Sequence, residues 1–169
     1  MNNLSKYEED KVKSIKCEYD KALYLVSCLF KNVKDKAGEP YINHLIRVSV
    51  GVEEKDTKVA ALLHDTVEDI PGMSFNYLKE LGFNDNVLSI VKIVTKDKVN
   101  KIPYHDEISR ILSSSNIEAI KLKYADMSDN YNSERLKLLE EETRIRLENK
   151  YKNEIIRIKN YLEEYYERN

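Results

Sequence analysis

Turn-forming residues are scarce in this chain, with four glycines and three prolines among 169 residues. An architecture of many short strands needs far more punctuation, so strands are not expected to dominate. Cysteine is nearly absent: Cys17 and Cys28 stand alone, without CxxC spacing. On one helix they would lie roughly 16 Å apart at about 1.5 Å per residue, which argues against a disulfide and for plain thiols in a reducing compartment. No apolar run approaches the roughly 20 residues of a membrane-spanning helix. The opening MNNLSKYEEDKVKSIK alternates charges and lacks a basic n-region and a small-residue cleavage site. No secretory signal is read there, and a cytoplasmic location is expected. Excess charge is missing too: 28 Lys and Arg face 30 Asp and Glu, a formal net charge of -2. No global field draws the molecule to nucleic acid or to an anionic membrane. The 12 tyrosines are scattered and form no base-stacking platform, so neither partner is expected.

What is present is a hydrophobic fraction of 41% beside a charged fraction of 34%, the balance of a defined core under a solvated exterior. A single domain over residues 1–169 is the default at this length. Abundant Lys, Asn, Ile and Tyr suit a bacterial, AT-rich coding sequence.

Apolar spacing is helical nearly throughout, which predicts an all-α domain. Val12, Ile15, Tyr19, Ala22, Val26, Leu29 and Val33 recur at three and four, the stripe of one first helix of about twenty-five residues that KDKAGEP (34–40) would break. A second helix should start near Tyr41 and a third near Thr57, the latter running through Asp69 to the stop at Pro71-Gly72. Further helices are predicted at 74–81, 84–96, 104–113 and 117–132, with Ser113-Ser-Ser-Asn116 supplying a loop and an N-cap. Leu147, Tyr151, Ile155, Ile158, Leu162 and Tyr165 keep the same rhythm, predicting a long terminal amphipathic helix over about 134–168. Packing is its expected use, and a homo-oligomer seam is the alternative.

Histidine is rare, at three residues, and two of them fall in apolar helical segments. His64-Asp65 follows Ala60-Ala-Leu-Leu63, and Glu68-Asp69 comes four residues later, on neighbouring parts of a helical surface. Burying an ionised carboxylate beside such a run is costly unless it is paired or binds a cation. His44, in YINHLIRV, and Asp126, in LKYADMSDN, are the other polar residues embedded in apolar helical stretches. His44, His64, Asp65 and Asp126 are therefore candidate ligands of one divalent metal, with Mn²⁺, Fe²⁺, Zn²⁺, Co²⁺ and Ni²⁺ all suited to such donors. An open position on such an ion activates water and holds a phosphoryl oxygen, which is hydrolytic chemistry. Glu68 and Asp69 are the candidates to orient or deprotonate that water. The other His-Asp pair, His105-Asp106, follows Pro103 at a helix start and reads as surface or cap. Lys96, Lys98 and Lys101 form either a phosphate-attracting rim or a solvated run.

Four anchors, DKAGEPYINH (35–44), AALLHDTVED (60–69), IVTK (93–96) and KLKYADMSDN (121–130), resemble in order and spacing those of the HD-domain phosphohydrolases. Within that family the chain is similar to the hydrolase domains of the RelA/SpoT group and their small single-domain relatives, over about residues 20–135. The resemblance implies a helical bundle, metal ligands His44, His64, Asp65 and Asp126, and Mn²⁺ as the ion. It also implies release of pyrophosphate from the 3′ position of a phosphorylated guanosine nucleotide, with Glu68-Asp69 matching the H-D-x-x-E-D extension. Lys36, Lys123 and Asn130 take substrate-side places. The chain departs from the pattern at Phe30, Asn32 and Val33, at Leu45 after His44, and at Met127-Ser-Asp-Asn130, where Arg-Leu-His-Asn is common. Two alternatives follow: an HD hydrolase of another phosphorylated nucleotide, and a non-catalytic sensor that binds metal and nucleotide.

Overall fold

A computed structural model describes residues 4–96 and 100–169, and among them every regular element is a helix. The helices are α1 (Lys6–Ser14), α2 (Glu18–Leu29), α3 (Ile42–Val50), α4 (Lys55–Leu63), α5 (Thr66–Asp69) and α6 (Phe75–Glu80), followed by α7 (Asp85–Val94), α8 (Tyr104–Ser113), α9 (Ile117–Asn130), α10 (Ser133–Leu136) and α11 (Glu141–Arg168). Local chemistry starts several of them. Ser5 and Glu8 close a capping box on α1, and Ser74, Asn84 and Asn116 each accept a backbone N–H at the head of α6, α7 and α9.

Three predicted helices are interrupted. The first long helix is two, because Ile15 turns extended (φ -74, ψ 121) after α1. Tertiary bonds then aim α2 elsewhere: the Glu18 carboxylate takes Asn84 N and Nδ2 at 2.6 and 2.8 Å, and Lys21 Nζ donates to Gly82 O at 3.0 Å. Val33, at the end of the predicted stripe, is exposed. The helix expected to run through Asp69 breaks at His64-Asp65. There His64 Nδ1 takes the Ala61 carbonyl and Thr66 Oγ1 takes that of Leu63, both at 2.7 Å. Side chains thus occupy carbonyls that a continuing helix would give to backbone N–H groups. The terminal helix starts at Glu141 rather than 134, and the residues before it form α10, capped by Asn132.

Two apolar clusters fill the molecule, and α9 belongs to both. Ala119, Leu122 and Ala125 join a large cluster that also draws Leu25, Leu45, Leu62, Leu63 and Ile90. Ile120 and Met127 face a smaller one with Ile108, Ile111, Leu147, Tyr151 and Ile158. Packing on both sides leaves one strip of α9, Lys123, Asp126 and Asn130, spaced three and four apart, along the seam between the clusters. Leu147, Tyr151, Ile158 and Leu162 of the α11 stripe are buried against α8 and α9 within the chain, a packing use, while Tyr165 at its end is exposed. No helix among the described residues is long and apolar enough to cross a membrane.

Candidate metal centre and cavity

At that seam lies a cavity of about 360 Å³. It is lined by all the residues singled out for chemistry: His44, His64, Asp65, Asp126, Glu68, Asp69, Lys36, Lys123 and Asn130. They arrive from five places. The turn after α2 brings Lys36, α3 brings His44, the α4–α5 junction brings His64 and Asp65, α5 brings Glu68 and Asp69, and α9 brings the rest. The break at His64-Asp65 does not separate the two pairs, because one short turn of helix, closed by Asp69 N to Asp65 O at 2.8 Å, keeps them on the same wall.

His44, His64 and Asp126 each place a ligand atom within 4.8 Å of the others. Asp65 adds Oδ2 at 3.1 Å from His64 Nε2 and 3.8 Å from His44 Nε2. Hydrogen bonds settle which nitrogen of each ring faces the centre. His44 Nδ1 lies 2.7 Å from Asp129 Oδ2, and His64 Nδ1 lies 2.7 Å from the Ala61 carbonyl. Both partners only accept, so both Nδ1 atoms carry hydrogen and both Nε2 atoms turn inward. The Nε2 of His64 is buried and, although near two carboxylates, makes no hydrogen bond. An orphaned imidazole nitrogen converging with carboxylate oxygens fits a divalent cation, in a mixed nitrogen and oxygen donor set.

The electrostatics say the same. Burial opposes charge on both imidazoles, yet Asp65 and Asp126 overcome it for His64, and Asp126 and Asp129 for His44, so both rings hold a proton more tightly than usual. Burial likewise opposes charge on Asp65, but His64 beside it brings the carboxyl to about 2. Asp126 is held well below its ordinary range against the same burial, chiefly by Lys123. A divalent cation held between these groups would compete with protons for the same imidazole nitrogens.

Around this centre the remaining residues have definite partners. Tyr41 donates to Asp65 Oδ2 at 2.5 Å and stacks on Phe30 with ring centroids 5.2 Å apart, so the departure at Phe30 supplies a platform for that tyrosine. Burial and the Asp65 carboxylate push the Tyr41 hydroxyl up, which keeps it a donor. Lys123 Nζ bonds Asp126 Oδ2 at 2.9 Å, and Asn130 Nδ2 bonds Asp126 Oδ1 at 2.6 Å. Both residues therefore grip a candidate ligand. Glu68 accepts the Lys96 backbone N–H at 2.8 Å and Nζ at 3.1 Å, which ties the IVTK segment to the site. Lys101 is exposed, and Lys98 lies outside the described residues. His105 binds Glu154 at 2.7 Å across the α8–α11 contact, away from the cavity lining, and Asp106 is exposed in the first turn of α8, the surface reading of that pair.

The cavity lining also holds polar residues that the sequence did not assign to the site. Lys150 and Tyr151 come from α11, Arg135 from α10 and Tyr41 from the head of α3. Asp129, which contacts His44 from outside, was noted only as a departure. For Lys150 a signal existed: it stands three residues after Leu147, on the inward side of an amphipathic helix where a lysine is out of place.

Fold and centre together define a class, the all-helical domain whose helices meet at a buried histidine and aspartate cluster able to hold a divalent metal. The match to the HD domain family covers residues 25–150, and the chain belongs to that family. Among individual proteins, it is 36% identical over 107 residues to the guanosine-3′,5′-bis(diphosphate) 3′-pyrophosphohydrolase of Aquifex aeolicus, covering 57% of this chain and 15% of that protein. It is 36% identical over 104 residues to the enzyme of the same description, MESH1, of Drosophila melanogaster, covering 57% of each. The matches thus span little more than half of these relatives at most. A solved structure described as a metazoan ortholog of SpoT that hydrolyzes ppGpp superposes with a TM-score of 0.71 at 25% identity, over 85% of this chain and 86% of that one.

Proposed function

We propose that this chain is a metal-dependent pyrophosphohydrolase acting on guanosine 3′,5′-bis(diphosphate), releasing pyrophosphate from the 3′ position, with Mn²⁺ as its ion. The observation that carries the reading is the unbonded, buried His64 Nε2 converging with His44, Asp65 and Asp126, next to Glu68 and Asp69 in one cavity. A divalent ion held there supplies a Lewis acid for a phosphoryl oxygen and lowers the pKa of attacking water. The chain supplies the rest. Glu68, anchored by Lys96, and Asp69 beside it orient the water and take its proton. Lys123 and Asn130 orient Asp126, which would help hold the ion. Lys36 and Lys150 offer cationic heads to the phosphates. Both are depressed in pKa by burial first and by other cations next, the condition of groups short of an anion. The relatives named for this activity support the choice of nucleotide.

The test is pyrophosphate release from guanosine 3′,5′-bis(diphosphate) by the Mn²⁺-loaded protein, lost in Glu68→Gln with metal still bound. Turnover confined to a different nucleotide in a panel would overturn the substrate assignment. That second reading draws on Asp129, whose place commonly holds His and which here serves Arg47 and Arg135. Tight nucleotide binding without product from any substrate would make the protein a sensor.

A further inference from the structure

Asp129 stands three residues past Asp126 on α9, with a side chain only 9% exposed, and is not itself part of the convergent donor set. It nevertheless gathers three cationic or donor groups. Its Oδ2 accepts His44 Nδ1 at 2.7 Å, and Arg47 reaches both oxygens, Nε to Oδ1 at 2.5 Å and Nη2 to Oδ2 at 3.1 Å. Arg135 binds Oδ2 through Nη1 and also bonds the Asp129 carbonyl at 3.3 Å. The other end of the same guanidinium, Nη2, donates to Asp35 Oδ2 at 2.7 Å.

Asp35 is the organiser of the turn at the cavity mouth. Its Oδ1 accepts Ala37 N at 2.9 Å and Glu39 N at 3.0 Å, and its own backbone pairs with Glu39 O at 2.8 Å. Gly38 adopts φ 84 to complete that turn, a conformation that a side chain resists. Lys36 projects into the cavity from the same turn. A continuous path of charged hydrogen bonds therefore runs from the Lys36 turn through Asp35, Arg135 and Asp129 to the His44 ring.

We propose that Asp129 is a positioning residue that fixes the ring of His44 for metal binding, and that Arg135 ties this setting to the Lys36 turn through Asp35. A planar guanidinium bridging two buried carboxylates has a rigid fork, so displacing Asp35 displaces Asp129. A carboxylate on the far nitrogen of a ligating imidazole fixes its tautomer and orientation and raises its basicity. The break between α10 and α11 gains a purpose here: the short α10, held by its Asn132 cap, delivers Arg135 into the gap between α9 and the turn.

The proposal rests on the metal-site reading of the proposed function, and Co²⁺ binding to the full chain, followed by its visible spectrum and by titration without nucleotide, separates the two. Wild type must bind Co²⁺ with a defined spectrum; failure to bind would overturn the metal reading and this inference with it. Asp129→Ala is expected to weaken the ion about 10- to 100-fold and to shift the spectrum. Asp129→Asn keeps an acceptor for His44 and should fall between the two, which also serves should the alanine variant not fold. Arg135→Ala should weaken Co²⁺ in the same direction by a smaller factor. Asp35→Asn should weaken it in the wild-type background and have no further effect beside Arg135→Ala. Wild-type affinity and spectrum in both Asp129 variants, with circular dichroism showing an intact fold, would overturn the role of Asp129. Unchanged affinity in Arg135→Ala would overturn the link to the turn.

Discussion

Replacing Lys150 by methionine should make this protein more stable and a poorer binder of phosphate at once. Lys150 extends from α11 over the faces of Tyr104 and Tyr151, with Nζ 4.4 and 4.9 Å from their centroids. Among the described residues no carboxylate forms an ion pair with it, while Lys96, Lys123 and Lys36 lie near enough to repel it. Burial first, and those lysines next, bring its ammonium down to about 8. In the unfolded chain the same group titrates near 10.5, so between those values the unfolded state holds more protons and stability rises with pH. The cost is therefore complete below about pH 8 and gone above about pH 10.5. The full shift corresponds to about 3 kcal/mol at 1.36 kcal/mol per pKa unit, which partial exposure reduces to about 1–2 kcal/mol. Lys150→Met, which keeps an unbranched apolar stem against the two rings, should gain that amount at pH 7 in urea unfolding and nothing at pH 11. Its KM for the phosphorylated substrate should rise about tenfold, from the loss of one charged hydrogen bond of about 1.5 kcal/mol, with kcat less affected. A variant less stable than wild type at pH 7, or one with unchanged KM, would refute the view that Lys150 is held charged for an anion.

Asp126→Ala should abolish metal binding and also leave Lys123 buried without its partner, costing about 3–5 kcal/mol; thermal unfolding of the metal-free protein isolates the second effect. Glu68→Gln should lower kcat by about 10²- to 10⁴-fold while isothermal titration still reports the ion. Chelation should abolish turnover and lower the melting temperature, and added Mn²⁺ should restore both, since an ion bound only by the native fold stabilises it. As pH falls, metal affinity should drop at a higher pH than an ordinary histidine would give, because His44 and His64 both hold protons above their usual range. Affinity unaltered between pH 8 and pH 6 would remove both rings from the proposed ligand set.

By itself the sequence determined that the domain is helical and that His44, His64 and Asp126 turn inward with the apolar faces of their helices. The periodicity that hides Leu62, Leu63, Leu122 and Ala125 also carries His64 and Asp126 inward, because a helix cannot bury its neighbours and expose them at will. The order of the four anchors placed His44, His64, Asp65, Glu68, Asp69 and Asp126 in one site, and one cavity holds them all. What the chain could not state alone is where its helices stop when no glycine or proline marks the place. Ile15, His64-Asp65 and the stretch before Glu141 are broken by bonds to partners near and far: Glu18 with Asn84, His64 with Ala61, Arg135 with Asp35 across 100 residues of sequence. Only the tertiary structure could turn Asp129 from a departure in a motif into the acceptor behind His44, or bring Lys150 from the terminal helix to the cavity wall. Such roles depend on distances between segments remote in sequence, and helical periodicity carries no information beyond its own face.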